Sequence, residues 1–182
     1  MRSFIDRLVA ARIGATTNFY REGRGARLRR DRVAAYLEAR ADAPLLLVGE
    51  APGYRGARVS GVPFTSERQL SGAGTAEATA TVVHRVLDEL GLAERVLLWN
   101  VVPTHPGTPV SNRRPTAGEV AAGLPFAREL AVGRTVVAVG RVAAAALAAP
   151  YVRHPSHGGG GAFREGLLPF RAGGPLVRRF LV

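Results

Sequence analysis

Three polar side chains follow apolar runs of strand length, and each could act chemically on a bound molecule. Glu50 follows PLLLVG, Asn100 ends RVLLWN, and His154 comes after PYVR. A carboxylate can take a proton or orient water, an amide offers a donor beside an acceptor, and an imidazole can donate a hydrogen bond. We therefore expect one candidate polar group on each of three loops.

The elements that position these side chains can be predicted from the apolar pattern. Strands of a parallel sheet covered on both faces lack polar alternation, as do PLLLVG, RVLLWNVV and RTVVAVG. Four segments around them have helical spacing, and the middle two are entered through threonine and left through glycine. These segments are RLRRDRVAAYLEARA, TAEATATVVHRVLDELG, TAGEVAAGLPFARELAVG and RVAAAALAA. We expect an α/β fold, a three-layer α/β/α sandwich with a central, mostly parallel four-stranded sheet.

This fold predicts where the three polar residues meet. Loops at the carboxyl ends of parallel strands open to one side of the sheet, so Glu50, Asn100 and His154 should converge there. No repeat or linker divides the sequence. We predict a single domain over residues 1–182, with residues 1–43 as a helical extension that packs on the sheet and adds positive charge.

The charge of the chain indicates its partner. The 182 residues carry a net charge of +11 at pH 7, and the sequence contains no lysine. Arginine forks match phosphate oxygens and stay charged at any workable pH. A compositional bias explains arginine in place of lysine, but it does not explain 25 basic against 14 acidic residues. We therefore expect a nucleic-acid partner.

Missing residue types restrict the chemistry further. Without cysteine there is no disulfide, thiolate nucleophile or cysteine-ligated cluster, and without lysine there is no Schiff base. No residue set has metal-ligand spacing, so we expect no metal and no cofactor. No apolar run approaches the roughly 20 residues of a membrane span. We expect a cytoplasmic monomer without membrane contact.

Three motifs in the loops resemble the uracil-DNA glycosylase superfamily. The first is GEAPG followed by GVPF, closest to the family-four type of bacteria and archaea; the second is WNVVPTHPGTPVSNRRPT, and the third is HPS. The similarity runs from Pro44 to the region of Gly158. It implies a base-excision glycosylase that flips uracil, or a related deaminated base, out of DNA and hydrolyses its N-glycosidic bond.

The chain also departs from the family pattern. Family-four enzymes usually carry four cysteines for an iron–sulfur cluster, and this chain has none. Ala51 stands where the most active superfamily members have an aspartate that handles the attacking water. The segment after GVPF lacks the family's glycine, and HPS continues into His157 and four glycines.

The resemblance implies roles for the residues around the base. Phe64 would stack on it, or would only anchor its loop in the core. Asn100 matches a carbonyl oxygen and the ring N–H of uracil, or would only cap the strand exit. The turn residues expected to line the base are Gly49, Ala51, Pro52 and Gly53.

The same resemblance assigns the catalytic roles. His154 would donate a hydrogen bond to the uracil oxygen that gains charge as the bond breaks, or would be a surface histidine. Glu50 would orient or deprotonate water and stabilise positive charge on the sugar, or would cap the turn or pair with an arginine. We expect His105 to line the site and His84 to be structural.

DNA contacts are expected around the mouth of the pocket. The predicted residues are Arg55, Ser66, Arg113, Arg114, Arg153, Ser156 and His157. The run of four glycines, 158–161, predicts a flexible loop that could enter the minor groove with Phe163 or His157 as a wedge. The alternative is an inert loop.

Two other functions stay open at this point. One keeps the fold and changes the target base to hypoxanthine, xanthine or another damaged purine. The other is a DNA-binding module that retains the pocket but is catalytically weak, as Ala51 and the altered loop after HPS suggest.

Overall fold

The structure is a computed structural model and describes residues 1–171. Its strands are β1 Leu45–Gly49, β2 Val96–Asn100, β3 Gly107–Thr108, β4 Ser111–Asn112, β5 Thr135–Val139 and β6 Tyr151–Val152. Its helices are α1 Arg2–Ala10, α2 Ala26–Ala39, α3 Ala57–Ser60, α4 Glu67–Ser71, α5 Ala78–Glu89, α6 Ala117–Ala131, α7 Arg141–Leu147 and α8 Gly160–Leu167. A 3₁₀ turn, Leu168–Phe170, follows α8.

Four strands form one sheet in the order β2-β1-β5-β6, and every neighbouring pair runs parallel. In the register, Leu45 lies opposite Val96 on one side and Thr135 on the other, and Gly49 lies opposite Asn100. The carboxyl ends of the strands therefore share one edge of the sheet. The predicted α/β class with a central four-stranded parallel sheet is confirmed.

Alternate side chains of the central strands build a separate core on each face of the sheet. On the first face, Leu46, Val48 and Trp99 pack against helices α1, α2, α6 and α7. Phe4 of α1 meets the ring of Trp99 edge-on, with 5.6 Å between the ring centroids. The amino-terminal segment therefore packs directly on the sheet and supplies part of its core.

The second face is covered by α5 and α8. Leu45, Leu47 and Leu98 pack there against buried residues of both helices. Phe163 is one of them and has no exposed surface. It belongs to helix α8, which packs its apolar side chains on this face of the sheet. The prediction of a flexible glycine loop with Phe163 as a wedge is therefore wrong. The apolar residues that follow the glycines bind the segment to the core, and this outweighs the low helix propensity of glycine.

The sequence predicts a threonine N-cap for two helices, α5 and α6, and the structure shows one only for α6. Thr116 caps α6 and forms a capping box with Glu119. Helix α5 begins at Ala78 with Glu77 as its N-cap residue, two residues later than the threonine expected from sequence. Within residues 1–171, no helix is both long enough and apolar enough to cross a membrane.

Candidate active site

A cavity of about 440 Å³ opens at the carboxyl edge of the sheet. Its volume lies within the range of small-molecule pockets, about 300–1,000 Å³. Ten of the residues expected from sequence line it: Glu50, Ala51, Pro52, Gly53, Phe64, Asn100, Arg113, His154, Ser156 and His157. The structure therefore brings the three motifs together at one pocket.

Phe64 forms an apolar wall of the cavity and has an unusual backbone. Its side chain is mostly buried and packs in the core of the second face. Its φ is +52°, in the left-handed region that a bulky residue rarely adopts. The hydroxyl of Ser60 donates a hydrogen bond of 2.6 Å to the carbonyl of Thr65, which helps to hold this turn. Strain of this kind clusters at functional sites.

Asn100 presents its amide to the cavity from the end of β2. The residue is only 4% exposed. Within residues 1–171, its side chain makes no hydrogen bond to another residue, and its amide is not among the fully buried polar atoms that lack a partner, so the amide faces the cavity. Its donor and acceptor are therefore available to a ligand in the pocket.

The hydrogen bonds of His154 fix the proton on its ring. The backbone N–H of Ser156 donates to Nδ1 at 3.2 Å, and the hydroxyl of Ser156 lies 2.8 Å from the same atom. A nitrogen that accepts from a backbone N–H has no proton of its own, so the neutral ring carries its proton on Nε2. Burial lowers the pKa of His154, and the nearby His157 and Arg153 lower it further. The site therefore holds a neutral imidazole with an N–H donor on Nε2.

Glu50 lines both this cavity and a shallower one beside it. Burial raises the pKa of its carboxyl group, and the cation of Arg114 partly opposes this rise. A raised pKa brings a carboxylate closer to the range of an effective general base. Arg114 lines the shallower cavity and not the main one, so it lies on the side of Glu50 that faces away from the main cavity.

Glu77 is a second acidic residue of the cavity, and the sequence reasoning did not identify it. Its carboxyl group lies against the loop after β1, because a Cβ on Gly53 would overlap Oε1 and a Cβ on Gly56 would overlap Oε2. Burial raises its pKa. The two glycines in this loop would have been the only sequence signal for this close approach.

Other lining residues were also missed. These are Ala57, Thr79, Pro106, Asn112, Val139, Gly140 and Arg141. Arg141 is the one additional cation among them, and it lines both cavities beside Glu50. It follows Gly140 at the start of α7, where no sequence pattern singled it out.

Arg113 has a partner within the protein. Its guanidinium makes a two-point ion pair with Glu119, with N–O distances of 2.6 and 2.7 Å. Glu119 also accepts hydrogen bonds from the backbone N–H groups of Thr116 and Ala15. Arg113 lowers the pKa of this buried carboxyl group to about 2. This cluster joins the second loop, helix α6 and the amino-terminal segment.

The remaining predicted contacts lie outside the main cavity. Gly49 is buried beneath it, Arg55 is exposed and lies over the ring of Tyr54, and Arg153 is exposed near the turn after HPS. Ser66 is fully buried, and its hydroxyl donates to Gln69 in the capping box of α4. A side chain without exposed surface cannot reach DNA in this conformation, so the structure does not favour Ser66 as a contact.

The histidines at positions 84 and 105 support loops. His84 lies 3.1 Å from the hydroxyl of Thr65, next to Phe64, as expected of a structural residue. His105 is buried, and its ring nitrogens contact the carbonyl oxygens of Pro52 and Thr108. It does not line the cavity, contrary to the expectation from sequence. Among residues 1–171, no three acidic or histidine side chains are grouped as a metal site.

Comparison with known proteins identifies the family. A family model of the uracil DNA glycosylase superfamily matches residues 37–175. The crystal structure of wild-type SMUG2 from Pedobacter heparinus is similar with a TM-score of 0.64, at 13% sequence identity, over 92% of this chain and 96% of that one. No curated protein matches the sequence. The structural likeness concerns the fold alone, whereas the family match spans most of the chain, which therefore belongs to the uracil DNA glycosylase superfamily.

Proposed function

We propose that the protein is a monofunctional DNA glycosylase that removes uracil, or a related deaminated base, from DNA by hydrolysis of the N-glycosidic bond. One observation carries this proposal: a single cavity holds the ring of Phe64, the amide of Asn100 and the N–H donor of His154. Membership of the superfamily supports DNA glycosylase activity in general, and the GEAPG motif favours the family-four type within it.

Recognition of the base rests on Phe64 and Asn100. A flipped base would stack on Phe64, and aromatic stacking contributes about 1–3 kcal/mol per base. Asn100 can then accept from the ring N–H of uracil and donate to the adjacent carbonyl oxygen. Cytosine presents the opposite donor and acceptor pattern at this edge, so the amide disfavours cytosine when it keeps the orientation that matches uracil.

Bond cleavage depends on His154. As the glycosidic bond breaks, negative charge develops on the leaving uracil. The Nε2–H of the neutral ring donates to the uracil oxygen on which this charge develops, and Ser156 holds the ring in the required tautomer. A donor that is oriented in advance in a site of low water content stabilises mainly the transition state.

Water activation depends on Glu50. Its carboxylate orients or deprotonates the attacking water and stabilises the positive charge that develops on the sugar. Ala51, the next residue in the motif, has no polar group to share this task. No other carboxylate belongs to the three motifs that line the cavity, so we assign the water to Glu50.

Arginines beside the pocket suit the DNA backbone. Arg114 and Arg141 line the shallower cavity next to Glu50, and both can present guanidinium groups to phosphate oxygens there. A sequence-independent contact of this kind orients the duplex and makes binding depend on salt. We assign these two arginines to the phosphates that flank the flipped nucleotide.

An excision assay on a panel of substrates tests the proposed function. The protein is incubated with labelled duplexes and single strands that contain one uracil, hypoxanthine, xanthine, thymine or cytosine, and alkali then cleaves any abasic site. We expect cleavage at uracil and none at thymine or cytosine. Cleavage at hypoxanthine or xanthine alone would reassign the substrate. Salt-dependent binding without any cleavage would identify a DNA-binding module instead.

A further inference from the structure

A short β-hairpin stands at the rim of the cavity. Strands β3 and β4 pair antiparallel, with Gly107 opposite Asn112. Pro106 before the hairpin and Asn112 at its end both line the cavity. The tip residue Val110 is two residues from Asn112, about 7 Å along an extended strand. The tip therefore lies within about 7 Å of a residue that lines the cavity.

Hydrogen bonds within the hairpin fix the shape of its tip. The hydroxyls of Thr108 and Ser111 lie 2.7 Å apart. The backbone N–H of Val110 donates to the same threonine oxygen at 3.3 Å. Two exposed hydroxyl side chains thus close the turn around Val110.

Contacts to the first loop hold the hairpin in place on the protein. Arg58 donates from Nη2 to the carbonyl of Pro109 at 2.8 Å, and the N–H of Tyr54 donates to the side-chain oxygen of Asn112 at 2.9 Å. His105 joins the base of the hairpin to Pro52. The loop that carries Glu50 and the hairpin are therefore one connected unit.

Val110 is apolar and almost fully exposed at this tip. Among residues 1–171, it shares with Val132 the highest exposure of any large hydrophobic side chain, 77%. Val132 follows α6 and precedes the amino-terminal end of β5, so it lies at the sheet edge opposite the cavity. Single exposed valines need no explanation, but Val110 stands on a hairpin that hydrogen bonds join to the first loop beside the cavity.

We propose that Val110 is the wedge that enters the base stack of duplex DNA when the target nucleotide is flipped into the cavity. The inference rests on the proposed function. Extrusion of a base leaves a gap in the stack, and proteins that bind the minor groove frequently insert apolar side chains between base steps. Arg114 follows the hairpin closely and is exposed, so the apolar tip is bordered by a positive charge that suits the phosphates.

The segment after HPS does not offer an equivalent wedge. Phe163 is buried in the core, and His157 forms part of the cavity wall. Gly158 and Gly159 have no side chain that could occupy the stack. Val110 is an exposed apolar side chain at the tip of the hairpin whose ends line the cavity.

The test compares Val110→Ala with the equally exposed Val132→Ala on uracil-containing duplex and single-stranded DNA. A single strand has no stack to fill, so a wedge should matter in the duplex alone. We expect Val110→Ala to slow single-turnover excision from duplex by about tenfold or more, with a change of less than about twofold on single strands. Val110→Leu should restore the duplex rate to within about threefold of wild type. Val132→Ala should change neither rate, as for an ordinary surface site.

A second readout separates this inference from the proposed function. 2-Aminopurine placed next to the uracil in the duplex becomes brighter when the stack opens, whether or not the bond is cleaved. If no base is excised by the wild type, the proposed function fails, while fluorescence that rises with wild type and not with Val110→Ala still supports the wedge. Equal losses on duplex and single strands, or equal fluorescence for the two proteins, would overturn it. Thermal melting of each variant controls for folding.

Discussion

Gly49 and Phe64 touch where β1 ends, with no space for a side chain between them. A Cβ on Gly49 would overlap the ring carbon Cζ of Phe64 and lie 2.9 Å from Cε2. It would also lie 3.0 Å from Oδ1 of Asn100. The missing side chain at the end of β1 therefore allows the aromatic ring and the amide to share the floor of the pocket.

Gly49→Ala should disable the pocket by moving this ring. Phe64 is packed in the core, and hydrogen bonds hold its turn. The ring therefore has little room to move away from the added methyl group, and its stacking face is displaced from the position that suits the base. Misplacement of about 1 Å can cost about 100-fold in rate. We expect a loss of that order in the single-turnover excision of uracil. Gly161→Ala is the matched control, because a Cβ there meets open space; an unchanged Gly49→Ala rate would contradict the assigned floor.

His154→Ala should slow bond cleavage with little effect on DNA affinity. Loss of one preorganised donor to a developing oxyanion costs about 10²–10³ in rate. Ser156→Ala leaves the backbone N–H on Nδ1, so its loss should be about tenfold or less. Rates come from single-turnover excision and affinities from fluorescence anisotropy. If His154→Ala excises uracil at the wild-type rate, the donor role is wrong.

Arg114→Gln should move the acid limb of the pH–rate profile upward. Glu50 must be ionised to act on water; burial raises its pKa and Arg114 lowers it. Removing the cation raises this pKa further, so a higher pH is needed to ionise the carboxyl group. The measurement is kcat/KM for uracil excision against pH. Arg27→Gln, which makes the same charge change at an exposed site on α2, should leave the midpoint in place. A midpoint that stays or falls in Arg114→Gln would exclude the assigned pairing.

Glu119→Gln should reduce stability near neutral pH and flatten its dependence on pH. The pKa of Glu119 in the folded protein is about 2, below its ordinary value of 4.5. Its contribution is therefore complete above pH 4.5 and is lost as the pH falls toward 2. Hydrogen bonds to charged groups contribute about 1.5–3 kcal/mol, and we expect a loss of that size in the free energy of unfolding at pH 7.

Urea unfolding at pH 7 and pH 3 measures this effect. The difference between wild type and Glu119→Gln should shrink at the lower pH. Glu129→Gln, which breaks the exposed pair with Arg7, should change stability by about 1 kcal/mol or less. A difference that is equal at both pH values would show that the carboxylate charge of Glu119 is not responsible.

The sheet and the meeting point of the motifs could be predicted because both follow from local patterns. Unbroken apolar runs specify buried parallel strands, and parallel strands deliver Glu50 and Asn100 to the same edge. His154 follows β6, the strand that pairs with β5 at the far side of the sheet. The topology alone is sufficient to bring these three residues near one another.

Residues that reach the site through tertiary packing could not be predicted in this way. Glu77 lies in the cavity because two glycines in another loop make room for its carboxyl group. Phe163 follows four glycines, yet its burial against the sheet determines a helix there. Arg113 has the charge expected of a DNA contact, but its pairing with Glu119 depends on how the second loop meets α6. No periodic pattern of residues along the sequence indicates any of these contacts.

Release of the free base is the most direct test of the proposed function. The wild-type protein is incubated in excess with a duplex that contains a single uracil, and the small-molecule fraction is analysed by mass spectrometry. We predict free uracil in an amount equal to the alkali-labile sites formed, and a loss of both in His154→Ala on the same timescale. Absence of free uracil, hypoxanthine and xanthine from the matching duplexes and single strands would contradict the assignment of this pocket as a glycosylase active site.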